Sequence, residues 1–239
     1  MNTWFQFKQF TIHQEKTAMK VCTDACLFGA WVANKIELKE INADNILDIG
    51  CGTGLLSLML AQKTKAQIDA VEIDKNAFEQ AKENINLTEW KEQINIHHNS
   101  IIDFKTAKKY GLIICNPPFY ENQLKSIDAA RNRAMHATTL SYEDLIIALK
   151  NNLAQSGSAA VLLPYYAIKE FEETLSKNQL FIYEKCNVAH SPKHPFFRKM
   201  VIFSGVKKES SEHSISIKNN NNFYSEEFIE LLKDYYLNF

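Results

Sequence analysis

At 239 residues the chain suffices for one large domain, or one domain with an extension, and a 46% hydrophobic content supplies a sizeable core. A net charge of -1 excludes a globally basic nucleic-acid or membrane binder, so any basic surface must be local. No apolar run approaches the roughly 20 residues of a membrane span, the start MNTWFQFKQF lacks a basic-then-apolar signal pattern, and the five cysteines offer no second pair at zinc spacing beside Cys22 and Cys26. A reduced, cytoplasmic chain without metal is expected.

Residues 1–40 read as an arm followed by a helix. The first 22 residues interleave apolar and basic side chains, and Thr23 or Asp24 is placed to cap a helix that carries Leu27, Ala30, Trp31 and Asn34 on adjacent turns. From residue 41 strand and helix patterns alternate. NILDIG is a short β-rich run, LLSLMLAQ has helix length, AQIDAVEID is a strand, and Asp74 opens the amphipathic KNAFEQAKENINL. INIHHNS and YGLIICN are further strands. SYEDLIIALKNNLAQ is a helix with Ser141 as its cap, GSAAVLLP a buried-type strand, and YYAIKEFEETLSKN a helix. LFIYEKCNVA and KMVIFSGVKK then follow with only the loop HSPKHPFFR between them.

Alternation predicts a doubly wound parallel sheet, because parallel neighbours need a crossover; the last pair, without a helix, requires one antiparallel strand. The expected fold is α/β and Rossmann-like, with seven mostly parallel strands over residues 41–208 and the last strand antiparallel. Residues 209–239 add a strand, HSISIK, and a helix whose Phe228, Leu231, Leu232 and Tyr235 are expected to pack on the sheet. The Asn219–Asn222 run and KKESSEH are expected as mobile surface.

Three of the seven glycines fall within LDIGCGTGLL, at Gly50, Gly52 and Gly54. Glycines at the end of a first strand let the backbone approach a ligand, and the helix beginning there offers free N–H groups. Glu72 ends the next strand, where a carboxylate accepts both hydroxyls of a ribose. The spacing is not that of a dinucleotide site, whose third glycine comes one residue later. Asp48, just before the loop, would also repel a pyrophosphate. A cofactor with a ribose, a positive charge and no phosphate suits Asp48 and Glu72, and S-adenosylmethionine is such a molecule.

LIICNPPFY falls where the fourth strand should end, at the carboxyl edge that binds ligands in open α/β sheets. An exocyclic amine conjugated to a base or an amide is a poor nucleophile, and two acceptors on its hydrogens favour a pyramidal nitrogen with an available lone pair. The Asn116 side-chain oxygen and the Pro117 carbonyl supply two, with the prolines fixing the backbone. Phe119 adds a face for stacking.

These motifs resemble class I S-adenosylmethionine-dependent methyltransferases of the N-methylating, Asn-Pro-Pro-aromatic type, over residues 5 to 207. FQFKQFTIHQEKTAMKVCTDACLFGAW and ARNRAMHATTLSYEDLI are similar to segments of the bacterial tRNA1(Val) adenine-N6 methyltransferases. The resemblance implies methylation of the exocyclic N6 of an adenine in a tRNA anticodon loop. It implies that Asn116, Pro117 and Phe119 are catalytic. Asp48, Gly50, Cys51, Gly52 and Gly54 would line the methionine end of the cofactor, Glu72 would bind ribose and Ile73 would pack on adenine. Lys20 and Thr23 belong to the covering segment. Ser100, Ile101 and Asn116 itself complete the cofactor set, although many relatives carry an acid where Ser100 stands, and Asp103 is a possible substitute.

Only three arginines occur against twenty-four lysines. Arg131 and Arg133 follow the Asn-Pro-Pro turn, and Arg198 lies in SPKHPFFRKM with Lys193, His194, Lys199 and two phenylalanines. Basic residues interleaved with aromatics suit single-stranded loops. With Lys8 and Lys16 of the arm and His136, they form the expected RNA-contacting set. No obligatory protein partner is evident. Two readings stay open: the same turn serves N-methylation of another target, an rRNA guanine N2 or a protein glutamine, and the domain is a cofactor-binding module without catalysis.

Overall fold

The computed structural model describes residues 2–17, 19–117 and 140–239. A two-stranded antiparallel hairpin, β1 (Trp4–Gln6) and β2 (Thr11–His13), opens the chain and is followed by α1 (Thr23–Glu37). The core runs β3 (Asn45–Ile49), α2 (Leu55–Ala61), β4 (Gln67–Glu72), α3 (Lys75–Asn86), β5 (Ile94–His98) and β6 (Tyr110–Cys115). After residue 140 come α4 (Tyr142–Asn152), β7 (Leu153–Pro164), α5 (Ile168–Lys177), β8 (Phe181–Ala189), β9 (Phe196–Ser204), β10 (Ser211–Ser216) and α6 (Glu226–Leu232).

The main sheet has the order β10-β8-β9-β7-β6-β3-β4-β5. All neighbours are parallel except β9, which runs against both β7 and β8. The seven core strands and the antiparallel one are those expected. The tail strand adds an eighth by pairing with β8, a placement that local pattern alone does not specify. One face of the sheet is covered by α1, α2, α3 and α6, the other by α4 and α5, each with its own buried cluster. Phe228, Leu232 and Tyr235 are buried with the first cluster, and the Tyr235 hydroxyl donates to the Met59 carbonyl at 3.0 Å.

Caps follow the sequence in two helices and depart from it in a third. Asp74 accepts from the Ala77 N–H and Ser141 from the Asp144 N–H. The N-cap of α1 lies one residue before the expected pair: Cys22 holds it without a side-chain capping bond to the backbone, and Asp24 pairs with Arg198. The helix expected to run to Gln155 ends at Asn152, and Leu153 already belongs to β7. The arm is a built element, with Phe7, Phe10 and Ile12 buried and the Phe7 and Phe10 rings stacked 4.6 Å apart.

The asparagine run is a tight turn rather than loose surface. Asn219 accepts through its side chain from the Asn221 and Phe223 amides, and Lys218 bridges to Tyr224. Ser211 to His213 of KKESSEH lie in β10. Asp69 is buried on β4 and accepts from His97 Nε2, Lys108 Nζ and the Tyr110 hydroxyl at 3.0, 2.8 and 2.9 Å. Three donors satisfy the carboxylate and hold it below its ordinary pKa against the opposing effect of burial.

Candidate active site at the carboxyl edge

Winding reverses at β3, which has β4 on one side and β6 on the other. Crevices at such a reversal bind ligands. Ile49 pairs with Val71 and with Cys115, so Gly50, Glu72 and Asn116 stand one residue beyond the same level on three adjacent strands. Glu72 pairs with His98, which brings Asn99 and Ser100 to the same edge.

The glycine turn hangs from one acceptor. Gly50 N–H and Cys51 N–H both donate to the Val71 carbonyl, at 2.8 and 3.2 Å. Gly50 and Gly52 have φ of +68° and +57°, and a Cβ at either would meet none of the described residues within 4 Å. Crowding inside the fold therefore does not demand glycine there; the left-handed backbone does, and the space above it is open to a ligand.

Asp48 is fully buried. Its Oδ2 accepts from the Ser57 hydroxyl at 2.6 Å, whereas Oδ1 is buried with no hydrogen-bond partner. Burial pushes this carboxyl up to about 7; Ser57 opposes the shift and the charge of Glu72 adds to it. An orphaned carboxylate oxygen beside an open glycine turn suits a cationic ligand group. Both Glu72 oxygens are oriented by backbone, Oε2 by Gly52 N–H and Oε1 by Asp74 N–H, each at 2.8 Å. Each retains a lone pair for a hydroxyl. Ile73 follows with 62% of its surface exposed, an apolar face left uncovered. Cys51 and Cys115 are buried here, and burial raises both thiols well above their ordinary range, so they act as apolar packing. These residues fit S-adenosylmethionine: an anion for the ammonium, an oriented acid for the ribose and an apolar surface for adenine.

Ser100 is half-buried and caps a turn, its Oγ accepting from Ile102 N–H at 3.2 Å; Ile101 is buried and Asp103 exposed. A groove of about 570 Å³ between the 101–107 loop and α4 has Ile101 on its wall, but Gly50, Glu72 and Asn116 do not line it. Lys20 donates to the carbonyls of Gln14 and Thr17, which tightens the arm, and Thr23 is exposed at the start of α1. Asn116 is half-buried and Pro117 buried at the end of β6. Phe119, Arg131, Arg133 and His136 lie outside the described residues.

Several residues that build the site carry no local signal. Asn84 of α3 donates to the His13 and Thr53 carbonyls and accepts from His13 N–H, joining arm, helix and glycine turn. Gln80 accepts from Lys16 N–H, and Gln14 from Val21 N–H. Ser57 has a faint signal, as the one hydroxyl in the apolar LLSLMLA.

The basic set is less available than its sequence suggests. Lys199 is corrected outright: it is 6% exposed, pairs with Glu212 at 2.9 Å and lies over the Tyr165 ring, so it is not a rim residue. Arg198 Nε binds Asp24 at 2.7 Å. Burial alone would raise the Asp24 carboxyl, but hydrogen bonds from Cys22 and Arg198 outweigh it and hold it low. Lys16 pairs with Glu83 at 2.5 Å and Lys8 donates to the Lys233 carbonyl, both at exposed positions. Among the described residues no cluster of three His, Cys, Asp or Glu could hold a metal ion, and no helix is long and apolar enough to cross a membrane.

Comparison with known proteins places the chain in a family. Residues 32–157 match the methyltransferase small domain. A tRNA1(Val) (adenine(37)-N6)-methyltransferase of Pseudoalteromonas translucida is 41% identical over 98% of both chains, and one of Cytophaga hutchinsonii 40% identical over 99% of both. Among solved structures, a protein of Agrobacterium tumefaciens described as a predicted O-methyltransferase aligns with TM-score 0.69 at 15% identity, covering 88% of this chain and 96% of that one. An S-adenosylmethionine-dependent methyltransferase of Clostridium acetobutylicum aligns with TM-score 0.52 at 16% identity, over 80% and 94%. The structural likenesses carry the fold, a class I methyltransferase sheet; the sequence relatives carry the family. The chain belongs to the methyltransferase small domain family and, within it, to the bacterial tRNA1(Val) (adenine(37)-N6)-methyltransferases.

Proposed function

We propose that the chain transfers a methyl group from S-adenosylmethionine to the exocyclic N6 of adenine 37 in tRNA1(Val). The observation that carries this reading is the common level of Gly50, Glu72 and Asn116 on three adjacent strands, which sets a cofactor cradle beside an Asn-Pro turn. The relatives' names supply the target.

When bound, the cofactor supplies an electrophilic methyl on a sulfonium. The residues of this chain do the rest by placement. Asp48 supplies negative charge beneath the glycine turn for the ammonium and Glu72 binds the ribose, while Ile73 covers the adenine. The Asn116 side-chain oxygen and the Pro117 carbonyl accept the two hydrogens of the target amine, which aims the nitrogen lone pair at the methyl group. Catalysis of this kind is positioning and electrostatics. A general base is unnecessary, because the methylated nitrogen is cationic and acidic and loses its proton readily.

The test is to incubate total tRNA from a strain lacking this gene with methyl-labelled cofactor and digest it to nucleosides. Label in N6-methyladenosine is expected. Label in guanosine alone, or in protein alone, would overturn the reading.

A further inference from the structure

The carboxyl edge continues past the catalytic turn, and its exposed side chains are unusual. β7 lies beside β6 in parallel, and its end carries Tyr165 and Tyr166, which are 37% and 59% exposed. β9 begins at the same edge, because Pro164 pairs with Arg198, and its Phe196 is 39% exposed with its ring 5.4 Å from that of Tyr165. β8 ends there too, and the turn joining it to β9 carries the exposed Lys193. Beyond β8 the eighth strand, β10, leads into the asparagine turn, which is fastened to the edge by Lys218 N–H donating to the His190 carbonyl at 2.9 Å. Phe223 on that turn is 71% exposed.

Neither 164–169 nor 189–199 contains a carboxylate. Strand spacing puts β10 about 19 Å from β6, the reach of several nucleotides. The carboxylates that approach from elsewhere, Asp24 and Glu212, are paired with Arg198 and Lys199. Exposed aromatic rings next to the exposed Lys193 match single-stranded nucleic acid, whose bases stack and whose phosphates need positive partners.

We infer that the edge from β7 to β10 is a stacking track for the anticodon-loop nucleotides that flank the target adenine. Tyr166 and Phe196 take the bases nearest to Asn116, Phe223 takes a more distant one, and Lys193 and Lys218 meet phosphates. The inference rests on the tRNA reading above and extends it to residues on four further strands. It also gives the eighth strand a purpose, since β10 is what carries the distal ring to this edge.

The experiment measures binding of an unmodified tRNA1(Val) transcript by fluorescence anisotropy over a salt series, with calorimetry of the cofactor beside it. Tyr166→Ala and Phe196→Ala should each weaken tRNA binding roughly 10-fold without changing the salt slope, and Phe223→Ala somewhat less. Tyr166→Phe should bind as wild type. Lys193→Ala should lower the salt slope by about one. Cofactor affinity should be unchanged throughout, which also shows that the variants are folded. Wild-type protein that methylates the transcript while all three alanine variants bind it equally well would overturn the track alone. Wild-type protein that neither binds nor methylates tRNA would overturn the substrate reading and the track with it.

Discussion

The acidic cofactor cradle and the basic residues expected to face RNA are held in opposite ways. Glu72 is oriented by amides at positions 52 and 74, and Asp48 by a hydroxyl nine residues on, so each acid is set by its own or the neighbouring βα unit. Arg198 is held by Asp24, 174 residues away, and Lys199 by Glu212 on a different strand. The acids are fixed by local turns, and each keeps an oxygen or a lone pair that no protein donor uses among the described residues. Arg198 and Lys199 are fixed by tertiary partners, which draws their charge into the fold. A count of basic residues therefore overstates the positive surface, whereas the glycine-acid spacing describes groups that the local turns do bring together.

The contrast can be broken most severely at the catalytic turn. Asn116→Ala is expected to lower turnover by at least about 100-fold, the scale of losing one positioned acceptor. Cofactor affinity by calorimetry should stay near wild type, because the role proposed for Asn116 is chiefly toward the target amine. Wild-type turnover in this variant would detach the chemistry from the end of β6. Within the cradle, Glu72→Ala removes charged hydrogen bonds and frees the Gly52 amide, so cofactor binding should weaken by about 1 to 3 kcal/mol. An unchanged calorimetric affinity would remove the ribose assignment.

A pH series sharpens the role of Asp48. Its folded pKa is raised from 3.8 to about 7, so in the cofactor-free protein it contributes stability that is full below 3.8 and lost as pH rises through about 7. Binding a cation reverses the preference and needs the carboxylate. Affinity for S-adenosylmethionine should then fall about 10-fold between pH 8 and pH 6. The variant Asp48→Asn should bind weakly with no such slope. A flat wild-type profile would show that Asp48 does not face the ammonium.

Among the cations, Arg198→Ala leaves the mostly buried Asp24 without its ion pair, so unfolding should become easier by about 1 to 2 kcal/mol, or a few degrees in Tm. Lys16→Ala, at a solvated pair, should not shift Tm measurably. Equal Tm values for the two variants would erase the distinction between held and free charge.

The same division explains what could be read in advance. Strand and helix periods, the Asp74 and Ser141 caps and the helix-free loop between β8 and β9 were enough for a doubly wound, mostly parallel sheet with an antiparallel strand, because these are short-range signals. The grouping of Gly50, Glu72 and Asn116 at one edge of the sheet was legible for the same reason. The hairpin of the arm, the pairing of β10 with β8 and the Asn84 clamp were not, since each depends on a partner far along the chain. Thr23 and Asp24 looked equally fit to cap α1. What displaced Asp24 was Arg198, which no window around residue 24 contains.

The central claim is that the amine aligned by Asn116 and Pro117 is N6 of adenine 37. The most direct measurement compares two unmodified tRNA1(Val) transcripts, one native and one with adenine 37 replaced by guanine, incubated with labelled cofactor and mapped by nuclease digestion and mass spectrometry. One methyl group on the fragment containing adenine 37, and none on the guanine transcript, is the expected result. A methyl group on any other nucleotide, or equal labelling of both transcripts, would contradict it.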